Sequence, residues 1–136
     1  MLTIAAMDHI VLNVHDMDTM LDFYMKVLGL GGERIEAFRQ GQVPFPSVRI
    51  SPDTLIDLFP VNASSEEVAV AQAEKLNHFC MVIEPTDMHH VIAHLEAHGI
   101  VVDEGPVSRW GAHGNGTSIY FNDPEKNRIE IRYYDS

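Results

Sequence analysis

Two stretches in different halves of the chain share one pattern, a histidine followed by an alternating apolar segment. MDHIVLNV begins at Met7 and LNHFCMVI begins at Leu76, and in each an apolar and a polar residue precede the histidine, His9 or His78. Alternation with a period of two is typical of a β-strand that buries one face. A repeat at this spacing indicates two copies of a structural unit that cannot bury their faces alone.

The residues after each histidine predict the same order of elements, β-α-β-β-β. In the first half, the predicted strands are 8–14, 34–38, 47–51 and 54–59, with a helix between the first two that Asp16 caps and Gly29 ends. In the second half, the predicted strands are 77–83, 101–105, 116–122 and 128–134, with a helix between the first two that Thr86 caps and Gly99 ends.

The predicted fold class is therefore α+β, with two tandem βαβββ modules. At 136 residues, the chain suits one domain over 1–136, with module one at about 7–60, a linker at about 61–75 and module two at about 76–135. In the linker, Ser64 and Glu67 resemble a capping box, which favours a short helix, and a mobile linker is the alternative.

Charge and composition exclude several classes of function. Nine Lys and Arg residues against 20 Asp and Glu residues give a net charge of −11, which argues against binding to nucleic acid. No apolar run approaches the roughly 18 residues that span a bilayer, and the first residues do not resemble a signal peptide. The single cysteine, Cys80, lies in an apolar run, where we expect a small core residue. Together these features predict a cytoplasmic protein without membrane partners.

Four polar residues occupy equivalent places in the two modules. His9 and His78 open the first strands, while Asp57 in LIDLF and Glu130 in RIEIR lie in the last strands. Imidazole and carboxylate together suit first-row divalent metals, whereas a structural zinc site would use thiolates. The repeat thus predicts a metal site formed by two histidines and two carboxylates, in which Asp57 has the shorter reach.

The remaining histidines fit structural roles better. Residues 89, 90, 94 and 98 lie on or just after the second helix, where a solvated face explains them. His15 is predicted to serve a turn. His113, within RWGAHGNG, is predicted to lie in a flexible loop that reaches over a pocket.

The segments DHIVLNV, LDFYMKVLGL and GTSIYFNDPEKNRIEIRYY resemble the vicinal oxygen chelate superfamily, which includes glyoxalase I, fosfomycin-resistance proteins, extradiol dioxygenases and bleomycin-binding proteins. The resemblance implies that the two modules form a cupped mixed sheet around one divalent ion (Ni, Zn, Mn, Co or Fe). It also implies a homodimer. His9, His78 and Glu130 match the ligand positions of metal-dependent members, and Asp57 matches a further glutamate ligand of glyoxalase I.

The resemblance implies a metal-dependent enzyme of glyoxalase type, an isomerase or lyase that acts through a metal-chelated enediolate. Glu130 and Asp57 are the predicted catalytic carboxylates, and Asp57 is either the fourth ligand or the base. Extradiol ring cleavage, thiol transfer and non-catalytic binding of a small molecule are the alternatives. Glyoxalase I carries an arginine at the position of Asn13, so this residue argues against strict lactoylglutathione lyase activity.

Strand parity predicts which residues contact the substrate. Parity selects four side chains, Asn13, Arg49, Tyr120 and Arg132, and the loop residue His113 completes the predicted substrate-binding set. The two arginines predict a small substrate that is anionic or rich in oxygen. The alternative is that Arg132 pairs with one of the many acidic residues.

Overall fold

The computed structural model describes residue 3 and residues 5–61, 76 and 78–135. The chain divides into two compact units, residues 1–68 and 69–136. Each unit contains a four-stranded mixed sheet, as the α+β fold class predicts. None of the described helices is long and apolar enough to cross a membrane.

The first unit begins with a strand, a helix and a short strand before its two long strands. Its elements are β1 (His9–Val14), α1 (Met17–Asp22), a π-helical segment (Phe23–Val27), β2 (Gly31–Glu33), α2 (Ile35–Arg39), β3 (Ser47–Ser51) and β4 (Thr54–Pro60). The strand order is β1-β4-β3-β2, with β1 parallel to β4 and the other pairs antiparallel.

The second unit repeats this topology without the additional short helix. Its elements are β5 (Phe79–Val82), α3 (Met88–Ala97), β6 (Glu104–Gly111), β7 (Gly114–Asn122) and β8 (Arg128–Tyr133). The strand order is β5-β8-β7-β6, and β5 is again parallel to β8. The predicted two-module α+β fold is therefore confirmed.

Local signals in the sequence explain where the first helical segment begins and ends. The Asp16 carboxylate accepts a hydrogen bond from the Thr19 amide at 3.1 Å, which satisfies a free N–H of the first turn. Gly29, with φ of +75°, follows the π-helical segment in the left-handed conformation that glycine adopts without strain. Leu12 and Val14 of β1 are buried, so the alternate positions of that strand belong to the core.

Pairing register places the predicted site residues in equivalent positions of the two sheets. Val11 of β1 lies opposite Asp57 of β4, and Cys80 of β5 lies opposite Glu130 of β8. In both units the histidine precedes that central position by two residues. Since side chains alternate across a strand, each histidine shares a face with its carboxylate.

Two predicted strands are wrong in position. The predicted strand at 34–38 is the helix α2, and the edge strand is instead Gly31–Glu33. Arg34 adopts a left-handed φ of +61° that directs the chain into the helix. Ile35 and Phe38 have helical spacing, and a short apolar run does not distinguish strand from helix.

The second correction concerns the chain after α3. The strand predicted at 101–105 is Glu104–Gly111, and RWGAHGNG forms the β6–β7 hairpin rather than a flexible loop. Asp87, not Thr86, caps α3 by accepting a hydrogen bond from the His89 amide at 3.0 Å. The helix predicted at Ser64 and Glu67 lies outside the described residues.

Cys80 is a third correction. It is exposed, and it lies on the face of β5 that carries the polar residues rather than in the core. The core positions of β5 are taken by the alternate residues, of which Met81 is buried.

Candidate metal centre

The first histidine–carboxylate pair lies on adjacent parallel strands of the first unit. His9 Nε2 is 3.8 Å from Asp57 Oδ2, and the Asp57 side chain is only 11% exposed. The other oxygen of Asp57, Oδ1, accepts a hydrogen bond of 2.6 Å from the Ser47 hydroxyl. Ser47 lies directly opposite Asp57 in the β3–β4 register, so the sheet itself positions this hydroxyl. Asp57 therefore directs one defined oxygen toward His9.

The other nitrogen of His9 is held by the preceding residue. His9 Nδ1 lies 2.7 Å from Asp8 Oδ2, a distance at which an Nδ1 proton donates to the carboxylate. This hydrogen bond, aided by the charge of Asp57 and opposed by partial desolvation, raises the pKa of His9. A carboxylate on one ring nitrogen orients the other and raises its basicity, an arrangement common in metal-binding histidines.

The second pair is closer and its carboxylate is buried. His78 Nε2 is 3.2 Å from Glu130 Oε1, and the Glu130 side chain is 3% exposed. Glu130 Oε2 accepts hydrogen bonds of 2.6 Å from the Ser118 hydroxyl and from the Arg132 guanidinium. One oxygen of Glu130 is thus saturated by the protein, whereas the other faces His78.

The charge of Glu130 is stabilised by its surroundings. Burial acts to raise the pKa of Glu130, but hydrogen bonds from Ser118, Arg132 and Tyr120 outweigh it, so the pKa lies below the usual range. Glu130 is consequently ionised at neutral pH, as a metal-binding carboxylate must be.

Arg132 is fixed by backbone groups as well as by Glu130. It donates to the carbonyl oxygens of Trp110 at 2.9 Å and Arg109 at 3.3 Å, and to the Tyr134 hydroxyl at 3.2 Å. Burial acts to lower the pKa of Arg132, but its ion pair with Glu130 raises it overall. Arg132 therefore acts on Glu130 rather than facing solvent.

The donor atoms of the second pair fit a divalent transition metal. Metal–nitrogen and metal–oxygen bonds of about 2.1 Å place two ligand atoms roughly 3.0–3.4 Å apart at right or tetrahedral angles. The His78–Glu130 distance of 3.2 Å falls in this range, while the His9–Asp57 distance of 3.8 Å requires a small side-chain rotation. Within the described ranges, no three His, Cys, Asp or Glu side chains gather closely enough to hold an ion.

The predicted substrate-binding residues on the strands differ in their exposure, and two of them pair with carboxylates. Asn13 is exposed on the His9 face of β1. Arg49 lies on the corresponding face of β3, where its guanidinium binds Glu33 through two hydrogen bonds of 3.0 and 2.9 Å. Arg132 is likewise committed to a carboxylate. The predicted role of these arginines toward an anionic substrate stays a prediction.

Tyr120 and His113 lie in the second unit. Tyr120 is buried opposite Glu130, and burial together with the Glu130 hydrogen bond raises the pKa of its phenol. His113 lies in the β6–β7 turn, where its amide donates to the Tyr134 hydroxyl at 3.3 Å. Its ring packs edge-on against the Tyr134 ring, with centroids 5.3 Å apart.

Sequence reasoning missed the groups that support each carboxylate. Ser47 and Ser118 provide the short hydrogen bonds, and Asp8 orients His9. The supporting role of Asp8 could have been predicted from the sequence. Asp8 directly precedes His9, and a carboxylate beside a histidine ligand often orients its ring. The serines share a face with their carboxylates by parity, but parity alone does not select them from the other polar strand residues.

Residues 6–131 match the Glyoxalase/Bleomycin resistance protein/Dioxygenase superfamily. The chain belongs to this superfamily, as the resemblance to the vicinal oxygen chelate proteins predicts. Its members include enzymes such as glyoxalases and dioxygenases, and some are non-catalytic binding proteins.

Relatives of this chain come from fungi and bacteria. It is 36% identical over 139 residues to the glyoxalase domain-containing protein RDO1 of Mycosarcoma maydis, covering 98% of this chain and 70% of that protein. It is 33% identical to the virulence protein STM3117 of Salmonella typhimurium, covering 93% and 83%. The structure of an integron cassette protein from Vibrio cholerae, VCH_CASS1, is 31% identical, with a TM-score of 0.74 and 99% of both chains covered.

Proposed function

We propose that this protein is a divalent-metal-dependent enzyme of glyoxalase type, an isomerase or lyase that acts on a small molecule. The observation that carries the proposal is the pair of His–carboxylate contacts, His9–Asp57 and His78–Glu130, at matching register positions of two repeated sheets. Membership of the superfamily supports this proposal. A homodimer in the cytoplasm is the proposed working form, in keeping with the dimers that superfamily members often form.

In this proposal His9, His78 and Glu130 hold one divalent transition metal ion (Ni, Zn, Mn, Co or Fe), and Asp57 is a displaceable fourth ligand that alternates between binding the ion and accepting a proton. When bound, such an ion stabilises negative charge that develops on two neighbouring substrate oxygens. Glu130 contributes Oε1, because Ser118 and Arg132 already occupy Oε2.

Glu130 and Asp57 have different roles in this proposal. The pKa of Glu130 is lowered, which makes Glu130 a steady ligand but a weak proton acceptor. Asp57 has one oxygen held by Ser47 and the other directed toward His9, with no guanidinium contact among the described residues. Asp57 is therefore the group that accepts a proton from the carbon next to a substrate carbonyl, and Ser47 keeps it oriented.

Solvent exchange at such a carbon tests this function directly. Metal-loaded protein in D₂O should replace the CH₂ protons of hydroxyacetone with deuterium, which proton NMR measures. Asp57→Asn should slow exchange at least about 100-fold, the usual contribution of a positioned base, while three ligands still retain metal. Glu130→Gln should lose both metal and exchange.

His90→Ala is the matched control, because this exposed histidine lies on α3 and takes no part in either pair. It should exchange at the wild-type rate. Wild-type exchange in Asp57→Asn would contradict the assigned base. Oxygen consumption with a catechol, in place of proton exchange, would favour the ring-cleaving alternative instead.

A further inference from the structure

The second unit contains an open pocket beyond the ends of β5 and β8. Its volume is about 370 Å³, and its lining consists of Val82, Ile83, Glu84, Pro85 and Tyr134. This volume lies within the roughly 300–1,000 Å³ of pockets that bind small molecules. We call it the Val82 pocket.

The Val82 pocket lies on the same sheet face as the His78–Glu130 pair. Val82 is opposite Arg132, and both follow the opposed residues Cys80 and Glu130 by two positions. Residues two apart on a strand share a face and are separated by about 7 Å. A small molecule bound at Glu130 therefore reaches Val82 with its next few atoms.

The strand guanidiniums described in this unit are each committed to a carboxylate rather than available to an anionic ligand. Arg132 binds Glu130 at 2.6 Å, Arg128 binds Asp103 at 3.0 Å, and Arg109 binds Glu104 at 2.7 Å. The Arg132 side chain is also only 4% exposed. The ionisable carboxyl that lines the pocket is that of Glu84, which repels an anion.

The other lining residues suit an uncharged group. Val82 is 61% exposed, and covering its apolar surface with a ligand makes the free energy of binding more favourable. The Tyr134 hydroxyl accepts hydrogen bonds from Arg132 at 3.2 Å and from the His113 amide at 3.3 Å. Because its oxygen is used as an acceptor, its own proton is free to donate to a ligand carbonyl or hydroxyl.

The first unit also combines exposed apolar side chains with an arginine that is paired with a carboxylate. Val11, directly opposite Asp57, is 44% exposed, and Phe59, two residues after Asp57, is 37% exposed. Arg49 on this face is neutralised by Glu33. Exposed apolar side chains thus accompany both carboxylates.

We infer that the Val82 pocket receives the uncharged, apolar body of the substrate, with Tyr134 donating a hydrogen bond to an oxygen of that body. The inference rests on the proposed function only for the placement of the two substrate oxygens at the metal ligands. It replaces the expectation of an anionic substrate with that of an uncharged one.

Three probes separate charge from apolar area. 2-Hydroxyacetophenone is uncharged and has a phenyl ring beside two neighbouring oxygens. 4-(Hydroxyacetyl)benzoate has the same oxygens and ring, with a carboxylate on the far side of the ring, and hydroxyacetone lacks the ring. NMR titration should show 2-hydroxyacetophenone binding at least about tenfold more tightly than either other probe, which corresponds to about 1.4 kcal/mol.

Substitutions in the pocket then test whether Glu84 and Val82 cause the preference for the uncharged probe with the ring. Glu84→Gln should strengthen binding of 4-(hydroxyacetyl)benzoate about fivefold by removing a nearby like charge, with little effect on the uncharged probes. The control Glu96→Gln makes the same change on the exposed side of α3 and should alter none of the titrations. Val82→Thr should weaken the binding of 2-hydroxyacetophenone but not that of hydroxyacetone, which lacks the ring, whereas Val101→Thr, at another exposed valine, should weaken neither.

Tighter binding of 4-(hydroxyacetyl)benzoate than of 2-hydroxyacetophenone would overturn the inference, as would an unaltered titration in both pocket variants. A change of oligomeric state in Val82→Thr, measured by light scattering, would instead assign this surface to a second copy of the chain. The titrations are run on chelator-treated and metal-loaded protein. If the proposed metal function is wrong but the inference about the pocket is right, the chelator-treated protein should still prefer the uncharged probe.

Discussion

Glu130 illustrates how a buried carboxylate remains charged. Desolvation of an unpaired carboxylate costs several kcal/mol, so a buried one is normally paired and hydrogen-bonded. Glu130 receives a guanidinium from its own strand and a hydroxyl from the neighbouring strand, both on the same oxygen. These two donors thus support the charge of Glu130 without using the oxygen that faces His78.

This support predicts how stability responds to acid. The pKa of Glu130 is lower in the folded chain than the roughly 4.3 of an unfolded chain, so its ionisation stabilises the fold above that pH. The contribution is lost as the pH falls through the folded-state pKa. Glu130→Gln should therefore be less stable than wild type at pH 7, and the difference should shrink below about pH 4. Urea unfolding of metal-free protein at several pH values measures it.

Glu96→Gln is the control for a carboxylate on the exposed side of a helix, and its stability should follow that of wild type throughout. A stability difference between Glu130→Gln and wild type that stays constant from pH 7 to pH 3 would contradict the assigned role of the Glu130 charge.

At the scale of elements, sequence patterns predict structure well where the signal is local. The strand predicted at 47–51 begins and ends at the same residues as the observed strand. The glycines predicted to end the two helical segments, Gly29 and Gly99, both follow them with positive φ. The strand predicted at 101–105 is misplaced, because the path of β6 depends on a bulge against β7. Gly105 lies in that bulge with φ of +101°, and no local pattern reveals such a contact.

Gly105 is therefore expected to tolerate no side chain. A Cβ atom there would overlap the carbonyl oxygen of Ser118, whose hydroxyl supports Glu130. Gly105→Ala should lower the free energy of unfolding by about 2–4 kcal/mol through steric overlap and positive φ. Urea denaturation measures this loss.

Gly114→Ala is a matched control, because Gly114 has φ of +90° and a Cβ added there would meet none of the described residues beyond its chain neighbours within 4 Å. It should cost only the backbone strain, about 1–2 kcal/mol. Equal losses in the two variants would show that the contact with Ser118 is unimportant.

At the scale of the whole molecule, the internal repeat makes the fold and the pairing of site residues predictable. Repetition alone matches His9 with Asp57 and His78 with Glu130, and the strand register agrees. The substrate is harder to predict, because it depends on which charged side chains neutralise one another. Arg49 and Arg132 share the expected faces, yet each pairs with a carboxylate that parity alone does not identify.

The proposed binding of one divalent metal by the two His–carboxylate pairs can be tested by measuring metal content. The wild-type protein is stripped with chelator, reloaded with each candidate ion, dialysed and analysed by plasma mass spectrometry beside His9→Ala, His78→Ala, Glu130→Gln and the control His90→Ala. Wild type and control should each retain about one equivalent per chain, whereas the three ligand variants, whose affinity should be at least about tenfold weaker, should retain less. Equal metal content in wild type and Glu130→Gln, or no metal regained by wild type with any ion, would contradict it.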